Sequence, residues 1–96
     1  MQKDITTSWG KFDHGQSVLT ESALQLTTDD VVCQVGVTIR THTTNNGYVY
    51  IGNSDVTTAN GYQLAAGQSV TLNVNNVKNI YAVGSVNPQT VSWIAV

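Results

Sequence analysis

The side chains that usually perform chemistry are few and scattered in this sequence. Nucleophilic catalysis needs a base beside the nucleophile, and the two histidines, His14 and His42, are the candidates for that base. His14 lies near the N-terminus, and His42 lies among threonines at the end of a predicted strand, where an exposed residue without a chemical role is the common case. We therefore predict no catalytic residues and no enzyme, and we assign His42 no role.

The sequence also contains no clear motif for binding a metal ion or a cofactor. Asp29 and Asp30 are adjacent, so their side chains diverge, and the segment around Asp55 lacks the spaced oxygen ligands of a calcium loop. Cys33 is the one cysteine, which excludes an intrachain disulfide and favours a small buried apolar residue. The glycines stand in turns with no helix after them, unlike a phosphate-binding loop. The sequence predicts no metal ion and no cofactor.

Aromatic side chains are the remaining candidates for ligand binding. Their rings can stack on sugars when exposed, and the sequence offers Trp9, Tyr48, Tyr50, Tyr62 and Trp93. The alternative is that these rings pack in the core or in an interface. We keep Tyr48, Tyr50 and Trp93 as the candidate glycan-binding set.

Length and charge limit the classes of function. The 96 residues correspond to one domain, and only 10% are charged, against about 25% in ordinary soluble domains. A net charge of -2 provides no basic patch for nucleic acid. No apolar run approaches the length of a membrane helix, and the polar start lacks a secretion signal, so we expect synthesis in the cytoplasm.

The elements that must position any site are strands. Valine, threonine and asparagine dominate, and apolar residues alternate with polar ones. Residues 31–41 form the clearest strand, with Cys33, Val35, Val37 and Ile39 on the core face. The Asn-Gly pair at residues 46–47 predicts a hairpin leading to a strand over residues 48–52. Further strands are expected within residues 16–27, 69–75, 79–85 and 90–96.

The first fifteen residues show neither helical nor strand periodicity. We predict an N-terminal arm over residues 1–15 and one all-β domain over residues 16–96, an antiparallel β-sandwich or small barrel of about seven strands. Trp9 and Phe12 are the candidate anchors of the arm. The arm either docks on a neighbouring subunit or folds back as an edge strand of its own sandwich.

A set of short motifs resembles a known group of proteins. The segments YVYIG at residues 48–52, NGYQL at 60–64, AGQSV at 66–70 and IYAVGS at 80–85 are similar to those of small virion proteins of tailed bacteriophages. Those proteins are β-sandwich modules of capsid decoration, head-fibre or tail-associated type. The similarity extends over residues 35–96 and leaves the arm uncovered.

The resemblance implies a structural accessory protein that binds the assembled capsid and stabilises it. Its expected partner is the major capsid protein or another virion protein, and its expected location is the virion. We further expect a homo-oligomer, with a trimer suggested by the symmetry of typical capsid sites. The alternative is a receptor- or glycan-binding module of a phage tail or fibre. A pH-dependent hydrolase that needs His42 ranks third.

Overall fold

Alternating apolar and polar residues form eight strands in the part of the chain that the structure describes. The computed structural model describes residues 12–96. The strands are β1 (Asp13–Leu19), β2 (Leu24–Gln25), β3 (Val37–Thr41), β4 (Val49–Gly52), β5 (Tyr62–Leu64), β6 (Ser69–Leu72), β7 (Tyr81–Gly84) and β8 (Gln89–Ala95). A 3-10 turn, Val77–Asn79, precedes β7, and the side chain of Asn76 accepts a hydrogen bond from the Lys78 N–H.

The strands build two antiparallel sheets of four strands each. The first sheet has the order β1-β8-β3-β6, and the second has the order β2-β7-β4-β5. The predicted all-β sandwich is therefore confirmed, with eight strands where about seven were expected. Over the described residues, no helix is long and apolar enough to cross a membrane.

The core lies between the two sheets. In β3, β4 and β8 every second residue is buried, as the sequence alternation predicts. Leu19, Val37, Ile39, Val49 and Val91 are fully buried in this layer. Burial of each such side chain contributes about 1.5–3 kcal/mol, so this layer is the main source of stability.

The chain changes sheet at almost every connection. Six of its seven connections join strands of different sheets, and only β4 and β5 follow each other within one sheet. The predicted Asn46-Gly47 hairpin is therefore wrong, because β3 pairs with β6 and β8 while β4 pairs with β5 and β7. Neither Asn46 nor Gly47 has a positive φ.

Side-chain hydrogen bonds explain why this segment crosses between the sheets. Asn45 donates its Nδ2 to the carbonyl of Thr90 and accepts the Thr90 N–H, at 2.9 and 3.0 Å. The buried Gln89 accepts the Gly47 N–H at 3.1 Å and donates to Asn46 Oδ1 at 2.8 Å. These bonds attach residues 45–47 to β8, so the Asn-Gly pair does not close a two-strand turn.

The strand predicted over residues 31–41 is interrupted in its first half. The N–H groups of Gln34, Val35 and Gly36 all point to the carbonyl of Val96, at 2.8–3.1 Å. This bend breaks the alternation, so Val35 is 70% exposed while Cys33, Val37 and Ile39 are buried. The prediction that Val35 faces the core is wrong for this reason.

The first strand begins inside the segment predicted to be an arm. Asp13 pairs with Ala95 and Gly15 with Trp93, so residues 13–15 belong to the first sheet, with β1 as its edge strand. Pairing to β8 satisfies the backbone groups on one side of these residues. Residues 1–11, including Trp9, lie outside the described part of the chain.

Candidate functional site

The outer face of the first sheet carries a cluster of polar side chains. The sheet register places Gln16, Ser92, Arg40 and Ser69 in one row across all four strands. Because residues in register on neighbouring strands share a face, these four side chains point away from the core. His42 follows Arg40 by two residues, and its Nε2 lies 2.7 Å from the Oγ of Ser92.

An open pocket of about 300 Å³ lies at this cluster. Its walls are formed by residues at the end of β3, by the turn that follows, and by Ser92 of β8: Arg40, Thr41, His42, Thr43, Thr44 and Ser92. The turn is closed by the Asn45 N–H, which donates to the carbonyl of His42 at 3.1 Å.

The His42–Ser92 pair has the geometry of a base beside a hydroxyl. A nucleophilic serine also needs a third group that orients the histidine and donors that stabilise an oxyanion intermediate. Residues 12–96 provide no side-chain partner for the second ring nitrogen of His42. Ser92 lies in the middle of a regular strand, so the arrangement suits binding better than acyl transfer.

This cluster was not predicted from the sequence. His42 and Ser92 are 50 residues apart, and nothing local connects a histidine among threonines with a serine beside a tryptophan. Only the pairing of β3 with β8, which sets Arg40 opposite Ser92, brings them together. The one available signal was that both residues occupy polar positions of alternating strands.

Two of the predicted glycan-binding residues lie on the outer face of the second sheet. Val49 and Ile51 are buried, so Tyr50 points outward, and Tyr48 precedes it by two residues. The backbone of Tyr48 is bonded to Ser85, and its side chain is 47% exposed. The phenol of Tyr50 accepts a hydrogen bond from Gln63 at 3.1 Å.

A third tyrosine belongs to the same surface. Tyr81 pairs with Gly52 on the outward side of β7, diagonal to Tyr50, which pairs with Val83. Tyr48, Tyr50 and Tyr81 thus form what we term the tyrosine face. Tyr81 was not among the predicted glycan-binding residues, because its place beside Tyr50 depends on the pairing of β4 with β7.

Trp93, the third residue of the predicted glycan set, lies in the core. It is 7% exposed and alternates with the outward-facing Ser92 and Ile94. The expectation that its ring is exposed is therefore wrong. The alternative that we left open for this residue, packing in the core, describes its position.

Exposed apolar side chains gather at one end of the first sheet. Phe12 directly precedes Asp13, the partner of Ala95, and is 60% exposed. Val96 pairs with Gly36 through two backbone bonds of 3.0–3.1 Å, and Val35 bonds to the same Val96 carbonyl. With Ile94, these exposed residues form the apolar end: Phe12, Val35, Ile94 and Val96.

A second concave surface opens between the edges of the two sheets. It measures about 430 Å³, and Ile51, Tyr62, Val70, Leu72, Val74 and Ile80 provide its apolar walls. Tyr62, another of the aromatic candidates, is exposed at its rim. Val70 and Leu72 of β6 are therefore only partly buried, although they pack against the core.

Two ionisable groups have altered pKa values for structural reasons. Hydrogen bonds from Lys78, at 2.6 Å, and from Asn76, together with the charge of Lys78, lower the pKa of Asp30. Burial raises the pKa of the Cys33 thiol, whose Sγ lies 3.0 Å from the carbonyl of Val74. Across residues 12–96, no group of three or more histidine, cysteine or acidic side chains is arranged to hold a metal ion.

Comparisons with known proteins give no relative for this chain. No protein-family model matches it, and neither curated proteins nor solved structures give a significant match.

Proposed function

We propose that this protein is a non-enzymatic structural accessory protein of a bacteriophage particle, which binds the assembled capsid and stabilises it. The observation that carries the proposal is the apolar end. Its four exposed apolar side chains include Phe12, the first residue that the structure describes, which directly precedes β1 at the C-terminal end of β8. Clustered exposed apolar residues with a polar surround are typical of protein interaction sites.

The polar surface supports the same function. Outer positions of the first sheet carry threonine, serine and glutamine, and the whole chain has only ten charged residues, four basic and six acidic. Contacts made by neutral polar and apolar groups depend little on ionic strength, because they involve no screened charges. A protein that adds contacts across a capsid benefits from this property. The partner would be the major capsid protein or another virion protein.

Co-sedimentation with capsids of the phage that encodes this chain tests the proposal. The chain should bind at a fixed stoichiometry, and capsids that carry it should open at a higher temperature. Phe12→Ser combined with Ile94→Thr should weaken binding at least tenfold, since removal of interface anchors costs about 2 kcal/mol or more. Removal of residues 1–11 should also weaken binding.

Val18→Thr is the matched control for this test. Val18 is an exposed apolar residue on the same face of β1, at the opposite end from Phe12. Capsid binding should survive this change. The proposal would be contradicted if capsids do not bind the chain, or if all variants, including Val18→Thr, lose capsid binding equally. Native mass spectrometry of the free protein tests the proposed homotrimer separately.

The tyrosine face favours a second candidate function, a receptor- or glycan-binding module of a phage tail or fibre. Its three rings and the amide of Gln63 provide stacking surfaces and hydrogen-bonding groups on one side of the sandwich. A glycan array with the intact protein tests it. Tyr48→Ala and Tyr50→Ala should abolish any signal, while Tyr62→Ala, at the rim of the apolar groove, should leave it unchanged.

A further inference from the structure

We propose that the pocket on the outer face of the first sheet is a binding site for an oxyanion, with Arg40, Ser92 and the turn at residues 43–44 as its donors and with His42 orienting the Ser92 hydroxyl. The chemical class is a carboxylate, phosphate or sulfate group. This site is separate from the apolar end, and the proposal does not depend on the capsid function.

The positive charge of Arg40 favours an anionic ligand. The described part of the chain contains two basic side chains of lysine or arginine type, Arg40 and Lys78. Lys78 is neutralised by Asp30 at 2.6 Å, whereas no carboxylate of residues 12–96 lies within 4.0 Å of the Arg40 guanidinium. A guanidinium presents a planar fork of N–H groups that matches two oxygens of a carboxylate or phosphate. An oxyanion is therefore the natural partner for this charge.

The His42–Ser92 hydrogen bond orients the Ser92 hydroxyl for donation to a ligand. In the tautomer with hydrogen on Nε2, His42 donates to Ser92 Oγ, and the hydroxyl hydrogen of Ser92 is then free to donate to a ligand. The sheet register holds Ser92 directly opposite Arg40. One donor from β8 and one from β3 thus converge on the same pocket without rearrangement of the backbone.

The turn after β3 supplies further donors. Thr43 and Thr44 are the central residues of the turn that the Asn45 N–H closes onto His42. None of residues 12–96 accepts a hydrogen bond from the backbone N–H of either threonine. Both residues line the pocket, where their N–H and hydroxyl groups can donate to a bound anion.

The size of the pocket limits the ligand. A volume of about 300 Å³ lies at the lower end of the range for small-molecule sites, which is about 300–1,000 Å³. It accommodates one oxyanion group with its hydrating water, but it is too small to enclose a bulky ligand as well. The group can belong to a free ion or to an acidic side chain of a protein partner, since both present the same oxygens to Arg40.

NMR titration of the full-length 15N-labelled protein tests the site. Sodium phosphate and sodium acetate are added separately at constant ionic strength, with sodium chloride as the reference salt. Saturable shifts confined to the amides of residues 40–44 and 92 are the expected result. Tighter binding of phosphate identifies a tetrahedral dianion as the preferred ligand, and tighter binding of acetate identifies a carboxylate. Shifts that chloride reproduces, or that spread evenly over the surface, would overturn the proposal.

Substitutions assign the donors. Arg40→Gln should weaken binding at least about tenfold, the effect of losing a hydrogen bond to a charged group. Arg40→Lys should retain part of the affinity, because it keeps the charge and loses the fork. Ser92→Ala should weaken binding by a smaller factor and remove the His42 contact.

Lys78→Gln is the matched control, since it removes the other described cation of this class at a distant, ion-paired position. It should change the affinity less than about twofold, as expected for a screened charge. All variants affect exposed or half-buried positions, so their spectra should keep the wild-type dispersion. Equal effects of Arg40→Gln and Lys78→Gln would show general charge attraction and contradict the site.

Discussion

The indole of Trp93 lies directly against the backbone of Gly15, its register partner on β1. A β-carbon built on Gly15 would lie 2.6 Å from Cζ2 and 2.8 Å from Cε2 of the ring. Such distances are well inside van der Waals contact, so Gly15 is required by the approach of the ring. The edge strand and the core tryptophan are therefore fitted to each other.

Gly15→Ala should destabilise the protein for this reason. The added methyl group has to displace a buried ring, which costs about 1–3 kcal/mol in a packed core. In an exposed strand without such a contact, alanine gives a more stable protein than glycine. A loss of stability in Gly15→Ala would therefore indicate the close contact with the Trp93 ring. Urea unfolding followed by circular dichroism gives the free energy. Gln16→Ala, at the next and outward-facing position, should change it by less than about 0.5 kcal/mol.

Thr41 provides a test of buried hydrogen bonding. Its hydroxyl is fully buried and lies within hydrogen-bond distance of the carbonyls of Ala65 and Gln68, at 2.5 and 3.1 Å. Thr41→Val keeps the shape and removes the donor, so we expect a loss of about 1–3 kcal/mol.

Thr38→Val is the matched control, with the same chemical change on the exposed face of the same strand. Its hydroxyl contacts only the Thr71 hydroxyl, at 2.9 Å, among the described residues. Thermal or urea unfolding should show a change within about 0.5 kcal/mol. If both valine variants lose the same free energy of unfolding, burial of the hydroxyl does not determine how much the substitution destabilises the protein.

The Asp30–Lys78 contact predicts a pH-dependent part of the stability. The folded state lowers the pKa of Asp30, so the unfolded state binds the proton more tightly. The stabilisation is present above about pH 4, the ordinary range of an aspartate, and is lost as the pH falls through the lower folded value. Urea unfolding between pH 2 and 6 should show this loss in the wild type.

Asp30→Asn should make the free energy of unfolding less dependent on pH between pH 2 and 6. Asp29→Asn is the control, because Asp29 is the adjacent carboxylate and has no bond to Lys78. Because Asp30 is exposed to solvent, high salt should also reduce the effect. A profile that both asparagine variants change alike would contradict the assignment to Asp30.

Cys33 should be unreactive in the folded protein. Its side chain is buried, and burial raises the pKa of the thiol, so little reactive thiolate is present. Ellman's reagent should modify it only on the timescale of unfolding. A variant that combines Cys33→Ser with Val35→Cys moves the thiol to an exposed position and should react at once. Immediate reaction of the wild type would show that residues 31–35 open easily.

Some features of this protein follow from sequence alone. Alternation placed Val49, Ile51 and Val37 in the core, and it placed Tyr48 and Tyr50 on the opposite face, because the side-chain period of a strand is fixed by its geometry. The abundance of valine, threonine and asparagine and the frequent turn residues indicated an all-β domain. These are local properties, and they need no knowledge of which strands pair.

The partners of each strand were decided only by the tertiary structure. An Asn-Gly pair looks the same whether it closes a hairpin or crosses between sheets, and here Gln89 and Asn45 settled the choice through bonds to residues more than 40 positions away. The same is true of the cluster formed by Arg40, His42 and Ser92, which exists because β3 lies beside β8. Alternation states that a side chain faces outward, but register determines its neighbours, and register depends on the packing of the whole core.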